Sequence, residues 1–182
     1  MFFGTSLTAG LGLDPEAAYP ALIQRKLDSA KLPFRAVNAG VSGETSAAGL
    51  RRIDWILNQP VAVLVLELGA NDALRGLALE AAKDNLQEII NRTRAKNPGV
   101  KIVVAGMQAP PNLGSRYTGE FRQMFVDLAR ANNAALIPFL LEGVGGVDSL
   151  NQGDGIHPNL RGERIVAANV WKTLEPVLRS EK

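Results

Sequence analysis

The sequence predicts a single α/β domain, residues 1–182, built on an open parallel sheet. Three observations carry this. Strand-like apolar runs alternate with segments of helical spacing along the whole chain, the pattern of β/α alternation. The run Val61-Ala62-Val63-Leu64-Val65-Leu66-Glu67-Leu68 is almost continuously apolar, as strands covered on both faces are. No repeat, linker or low-complexity segment interrupts the 182 residues, a length that suits one domain with its own core.

The elements follow in order. Phe2-Phe3 forms the stub of a first strand. Asp14-Pro15-Glu16 opens a helix with an acidic cap, a proline in the first turn and a glutamate near the positive end of the dipole. Ala18, Leu22, Ile23 and Leu27 then recur at helical spacing. Pro33 breaks that run, and Phe34 to Asn38 is expected as a second strand. Leu50, Ile53 and Leu57 share one face of a helix from about Thr45 to Leu57. Val61 to Leu68 is the third strand, and Ala81 to Lys96 a helix ended by Asn97-Pro98-Gly99. Val100 to Ala105 is the fourth strand, Gly119 to Asn132 a helix, Ala135 to Phe139 the fifth strand, and Gly162 to Leu178 the closing helix. Right-handed crossovers then put helices on both faces.

Composition removes several classes of function. Net charge is only +2 and the basic residues are scattered, which leaves nucleic-acid binding little electrostatic basis. The longest apolar stretch, Pro60 to Leu68, is about half a membrane span, so stable membrane insertion is not expected. The chain has no cysteine, which excludes disulfides, thiolate chemistry and cysteine-based zinc sites. Its one histidine excludes a His-rich metal site. Met1 leads almost at once into Phe2-Phe3-Gly4, so no signal peptide is read. That abrupt start suits a trimmed form of a longer precursor, and the compartment is not read from it.

Ligands of such sheets sit beyond the carboxyl ends of the strands. Four small, polar segments follow the expected strands: Gly4-Thr5-Ser6-Leu7, Gly40-Val41-Ser42-Gly43, Gly69-Ala70-Asn71-Asp72 and Met107-Gln108-Ala109-Pro110. They are expected to converge. A lone histidine is commonly a surface or core residue, but His157 lies three residues after Asp154 on a probable loop. A tight turn there carries the carboxylate to the imidazole, fixing its tautomer and stabilising the imidazolium. Ser6 follows the first strand on a loop flanked by Gly4 and Gly10. A turn-capping role is the plain alternative, and a nucleophile activated by the one histidine is the chemical one. Ser6 N–H, Gly43 N–H and the Asn71 amide are candidate donors to an oxyanion. Competing motifs fail: Gly4 to Gly10 lacks the lysine of a P-loop, and Thr8 stands where a nucleophile elbow has glycine.

Together these segments resemble the SGNH hydrolases, also called the GDSL esterase/lipase family, and within it the compact bacterial thioesterase, lysophospholipase and arylesterase branch. Gly4-Thr5-Ser6-Leu7 resembles the nucleophile block, Gly43 in Val41-Ser42-Gly43-Glu44-Thr45 the second, Gly69-Ala70-Asn71-Asp72 the third, and Asp154-Gly155-Ile156-His157-Pro158 the fifth. The resemblance implies a flavodoxin-like three-layer α/β/α sandwich with a five-stranded parallel sheet in the order 2-1-3-4-5. It also implies a metal-free, cofactor-free acyl-enzyme mechanism on a small-molecule acyl ester. Ser6, His157 and Asp154 would be catalytic, and Ser6, Gly43 and Asn71 would form the oxyanion hole. Leu7, Leu74, Gln108, Pro110 and Ile156 are the candidate substrate contacts.

The chain departs from the family at Thr5, where Gly-Asp-Ser-Leu has aspartate. Altered hydrogen bonding in the nucleophile loop is the expected consequence, and the short first strand leaves fewer ladder bonds to hold Ser6. Two further readings stand beside the esterase: a carbohydrate O-acetyl esterase, and a non-catalytic ligand-binding domain using the same strand ends. Natural substrate, acyl length and oligomeric state are not written in these motifs.

Overall fold

The computed structural model describes residues 1–180. Four parallel strands form the sheet: β1 (Phe2–Gly4), β2 (Val63–Glu67), β3 (Lys101–Ala105) and β4 (Ala135–Ile137), in the order β1-β2-β3-β4. The register sets Phe2 against Val65, Leu64 against Ile102 and Val104 against Leu136. All five residues of β2 are buried, as the apolar run predicts for a central parallel strand.

The expected strand Phe34–Asn38 is not formed, so the sheet has four strands rather than five. What remains is a single parallel bridge from Asn38 to Phe2. The physical cause is local. The Phe34 amide turns back to the Leu32 carbonyl at 2.8 Å, and the Ala36 amide is taken by the Gln24 side chain at 2.7 Å. Neither is free to extend a ladder. The segment still runs beside β1, on the edge away from β2, with Phe2 N–H donating to Val37 O and Ala39 N–H to Phe2 O, both at 2.8 Å. The short β1 is therefore held from both sides.

Among the described residues there are seven α-helices: α1 (Ser6–Ala9), α2 (Tyr19–Ser29), α3 (Ser46–Ile56), α4 (Ala70–Leu74), α5 (Leu79–Lys96), α6 (Ser115–Ala131) and α7 (Leu160–Arg179). The Asp14 cap opens a 3₁₀ turn over Pro15–Ala17, and α2 starts only after it. Successive strand residues face opposite sides. Accordingly Phe2 meets Tyr19 of α2 edge-on at 5.5 Å, while Arg52 of α3 lies over the Phe3 ring. Helices α2 and α7 pack on the first face, and α3, α5 and α6 on the second. On α6, Phe121, Met124, Phe125 and Leu128 are buried at i, i+3, i+4 and i+7, one helical stripe. Burying each such side chain is worth about 1.5–3 kcal/mol. No helix among the described residues is long and apolar enough to cross a membrane.

Candidate active site

The nucleophile loop leaves β1 at Gly4 and turns directly into α1. Gly4 must be glycine, because a Cβ there would meet the Thr8 hydroxyl and lie 2.5 Å from Glu67 Oε2. Thr5 caps α1 by accepting the Leu7 N–H at 3.4 Å. Ser6 is thus the first residue of α1 and is half-buried. Its N–H has no acceptor within the helix, as holds for every helix start.

The histidine beside Ser6 comes from the other end of the chain. Gly155, at φ +70°, makes the tight left-handed turn that an L side chain rarely adopts. That turn folds Asp154 under the histidine. Asp154 Oδ1 accepts the N–H groups of Ile156 at 2.9 Å and His157 at 3.0 Å, and Oδ2 lies 2.7 Å from His157 Nδ1. The backbone donation from His157 and Ile156, with the His157 side chain adding to it, holds the Asp154 carboxyl well below the usual carboxylate range. An ionised carboxylate only accepts, so Nδ1 carries the hydrogen and Nε2 offers its lone pair. His157 Nε2 is 2.8 Å from Ser6 Oγ across 151 residues of sequence.

Gly43 and Asn71 meet the same region through one shared scaffold. Asn71, the second residue of α4, donates from Nδ2 to Glu44 O at 3.0 Å. An amide nitrogen has two hydrogens, so one remains. Arg75 Nη2 donates to Gly43 O at 2.8 Å, and Arg52 pairs with Glu44. Beneath them the buried Asp72 accepts from Ser46 N–H at 2.8 Å and Ser46 Oγ at 2.6 Å. The loop carrying Gly43 and the helix carrying Asn71 are thereby fixed to each other.

The candidate substrate residues divide. Ile156 and Leu74 are exposed apolar side chains at 54% and 56%, beside His157 and on α4. Leu7 is packed in the core. Pro110 caps a 3₁₀ turn over Pro111–Leu113, and Gln108 lines a recess with Ser115, Thr118 and Arg122. Neither Ser6, Gly43, Asn71 nor His157 lines that recess. Of the four segments after the strands, the first three are tied together: Val41 N–H donates to Gly4 O, and Asn71 reaches Glu44. A more enclosed recess of about 260 Å³ opens at the opposite, amino end of the strands, lined by Phe34, Val37, Val61, Val63, Leu174 and Leu178. Neither Ser6 nor His157 lines it, so the side-chain chemistry and not the enclosure of a recess points to the candidate site. Among the described residues no cluster of three or more His, Cys, Asp or Glu could hold a metal ion.

Two groups went unread in the sequence. Gln152 donates from Nε2 to Leu11 O at 2.7 Å and to Pro158 O at 3.0 Å, joining the base loop to the nucleophile loop. Glu67 is fully buried at the end of β2 directly under Thr5. Its signal was present: one acid inside an otherwise apolar buried strand. Thr5 does not leave the loop without hydrogen bonds, since its N–H and hydroxyl both donate to Glu67.

A serine on a helix start, a histidine at hydrogen-bond distance and a carboxylate behind it, on a parallel α/β sheet, form the side-chain arrangement of a serine hydrolase. The family model for GDSL-like lipase/acylhydrolases matches residues 2–165. Esterase TesA of Pseudomonas aeruginosa is 43% identical over 96% of this chain and 87% of its own. Thioesterase 1/protease 1/lysophospholipase L1 of Escherichia coli K12 is 35% identical over 100% of this chain and 85% of its own. A crystal structure of TesA superposes with a TM-score of 0.92 at 42% identity, covering 97% of each chain. The chain belongs to the GDSL-like lipase/acylhydrolase family.

Proposed function

We propose that the chain hydrolyses carboxylic esters of small to medium acyl groups, aryl esters and thioesters among them, through an acyl-enzyme on Ser6. The observation that carries this is the 2.8 Å contact of Ser6 Oγ with His157 Nε2, backed by the 2.7 Å contact of Nδ1 with Asp154. Ser6 Oγ attacks the carbonyl carbon as its proton passes to Nε2. Asp154 keeps the imidazole in that tautomer and stabilises the imidazolium. Ser6 N–H, Gly43 N–H and the second Asn71 N–H receive the oxyanion. The imidazolium then returns its proton to the leaving alcohol or thiol. Water repeats the sequence on the acyl-enzyme and releases the acid.

The substrate class rests on the rim. Each site loop carries an exposed aliphatic side chain: Val41 two residues before Gly43, Leu74 three after Asn71, and Ile156 beside His157. Such surfaces favour an acyl or aryl group over a sugar. The test is Ser6→Ala against p-nitrophenyl acetate and butyrate, with a fluorophosphonate probe on the parent. Loss of turnover in the variant and labelling of Ser6 are expected; turnover equal to the parent's refutes the proposal.

A further inference from the structure

Glu67 is a carboxyl with no ion pair, wholly buried at the end of the central strand. Among the described residues it enters no salt bridge. Burying such a group is costly unless hydrogen bonds compensate. All of its partners belong to the short turn that carries the nucleophile. Thr5 N–H donates to Oε2 at 2.8 Å, the Thr5 hydroxyl reaches Oε1 at 3.0 Å and Oε2 at 3.1 Å, and the Thr8 hydroxyl reaches Oε2 at 2.8 Å. The Tyr19 hydroxyl lies 2.8 Å from Thr8 Oγ1 and can donate to it once Thr8 donates to Glu67. Thr5 in turn accepts Leu7 N–H. Every donor points one way, toward the carboxylate. Ser6, between Thr5 and Leu7, makes no hydrogen bond to Glu67 but takes its backbone orientation from both neighbours.

Resting on the proposed ester hydrolysis at Ser6, we infer that Glu67 is a positioning residue for the nucleophile: in its carboxylate form it gathers the Thr5 N–H and the Thr5 and Thr8 hydroxyls, and so sets the direction of Ser6 Oγ and Ser6 N–H. Protonation converts one acceptor oxygen into a donor. That hydrogen forces the Thr5 or Thr8 hydroxyl it faces to turn from donor to acceptor, and the turn loses one donation to the carboxylate on the side that orients Ser6. Thr5 suits this arrangement. A second carboxyl at that position would compete for a proton, whereas a hydroxyl donates and leaves Glu67 free to ionise.

Titration falls in a useful range. Burial pushes the Glu67 carboxyl up to about 7, against the opposing pull of the Thr5 N–H and of the Thr8 and Thr5 hydroxyls. The groups facing it are Thr5 and Thr8 from the nucleophile turn and Tyr19 from α2. Behind Tyr19 stands Glu163 of α7, whose Oε2 accepts the Tyr19 N–H at 2.7 Å. Burial raises Tyr19 further, with the Glu67 charge adding to it, and raises Glu163 to about 7. None of these supplies a positive charge.

The experiment is the pH dependence of kcat/KM for p-nitrophenyl butyrate in the parent and Glu67→Gln. Because the parent needs Glu67 charged, its acid limb carries one ionisation more than the variant's and is steeper by about one in log–log slope. In Glu67→Gln, kcat is expected to fall about 10- to 100-fold with KM within about twofold, the cost of a slightly misplaced nucleophile. Thr8→Val and Thr8→Ser keep the test open if Glu67→Gln does not fold. Loss of the hydroxyl lowers kcat about tenfold, and serine restores it to within about twofold. Equal slopes in the parent and Glu67→Gln, or equal kcat in the two Thr8 variants, overturn the inference. Fluorophosphonate labelling of the parent separates the two ideas: labelling with an unresponsive Glu67 and Thr8 series refutes positioning alone, and absence of labelling refutes the reaction itself.

Discussion

Replacing Asn71 with alanine probes catalysis and packing with one change. The side chain has two hydrogens on Nδ2. One is spent on Glu44 O at 3.0 Å, and the other is the proposed third oxyanion donor. Loss of an oxyanion donor costs about 10²–10³ in kcat, or ~2.7–4 kcal/mol in the transition state. Loss of the Glu44 bond is a separate, ground-state cost of about 1 kcal/mol. For a chain of this size it lowers Tm by about 2–4 °C. Because Ser6 N–H and Gly43 N–H remain, turnover falls but does not vanish, and KM stays within about twofold since the donor acts in the transition state. Steady-state hydrolysis of p-nitrophenyl butyrate and a thermal melt give both numbers. Asn71→Asp keeps the shape and sets a negative charge where the oxyanion forms, so its kcat falls below that of Asn71→Ala. A Tm shift of the expected size with kcat within about tenfold of the parent would sink the assignment of Asn71 to the oxyanion hole.

Two further outcomes follow from the titratable groups. Asp154→Asn retains an acceptor for the Ile156 and His157 amides but turns an N–H toward Nδ1, which selects the wrong imidazole tautomer. A buried triad aspartate loses about 10⁴ in kcat this way; Asp154 is 45% exposed, so a loss of about 10²–10³ is expected, and one under about tenfold argues against its role. Stability should fall as pH rises toward neutrality. Glu67 and Glu163 are raised from 4.5 to about 7, so the native state binds more protons than the unfolded state between those values. The stability they confer is complete below about 4.5 and is lost as pH rises through about 7. Asp154, shifted the other way, acts only at more acid pH. Tm is therefore higher near pH 5 than near pH 8, with the gap narrowed in Glu163→Gln; a melt that is flat or rises over that range refutes it.

The residues legible in the sequence are those whose chemistry is scarce. His157 is the one histidine, Asp154 stands a turn's length before it, Ser6 and Asn71 follow runs that form strands, and Gly43 follows a run with a strand's composition. The structure brings Ser6, His157 and Asp154 into contact and fixes Gly43 and Asn71 to one scaffold. What was not legible depends on bonds between distant segments. Phe34–Asn38 has a strand's composition, but Gln24 takes its central amide, and no local pattern reveals a side chain on another helix reaching across. Helix α1 spans four residues, too few for any periodicity. Glu67 was visible as an oddity in an apolar run, yet its partners lie 59 and 62 residues away. The effect of Thr5 followed the same course, because a hydroxyl in the aspartate's place gains its meaning only from the carboxylate beneath it.

The two halves of the site are held by different means. Ser6 sits on a turn bonded from below by Glu67 and flanked by β1, itself bonded on both edges. His157 sits on an exposed loop with Asp154, where little apolar burial constrains it. The loop is closed by backbone bonds instead. Gln152 N–H donates to His157 O at 2.7 Å, and Asn151 bridges Pro158 in antiparallel fashion. The Gln152 side chain then spans to Leu11 O, two residues past the end of α1. Gly12 lies against it so closely that a Cβ there would strike Gln152 Oε1. The Gln152 side chain thus links the loop carrying His157 to the chain just after Ser6 and α1. Such a division suits an acyl-enzyme cycle. In the proposed cycle Ser6 Oγ attacks once and leaves when water attacks the acyl-enzyme, so it must hold its position through both steps. The imidazole must shift slightly between taking a proton from Ser6 and giving it to a leaving group displaced from that position.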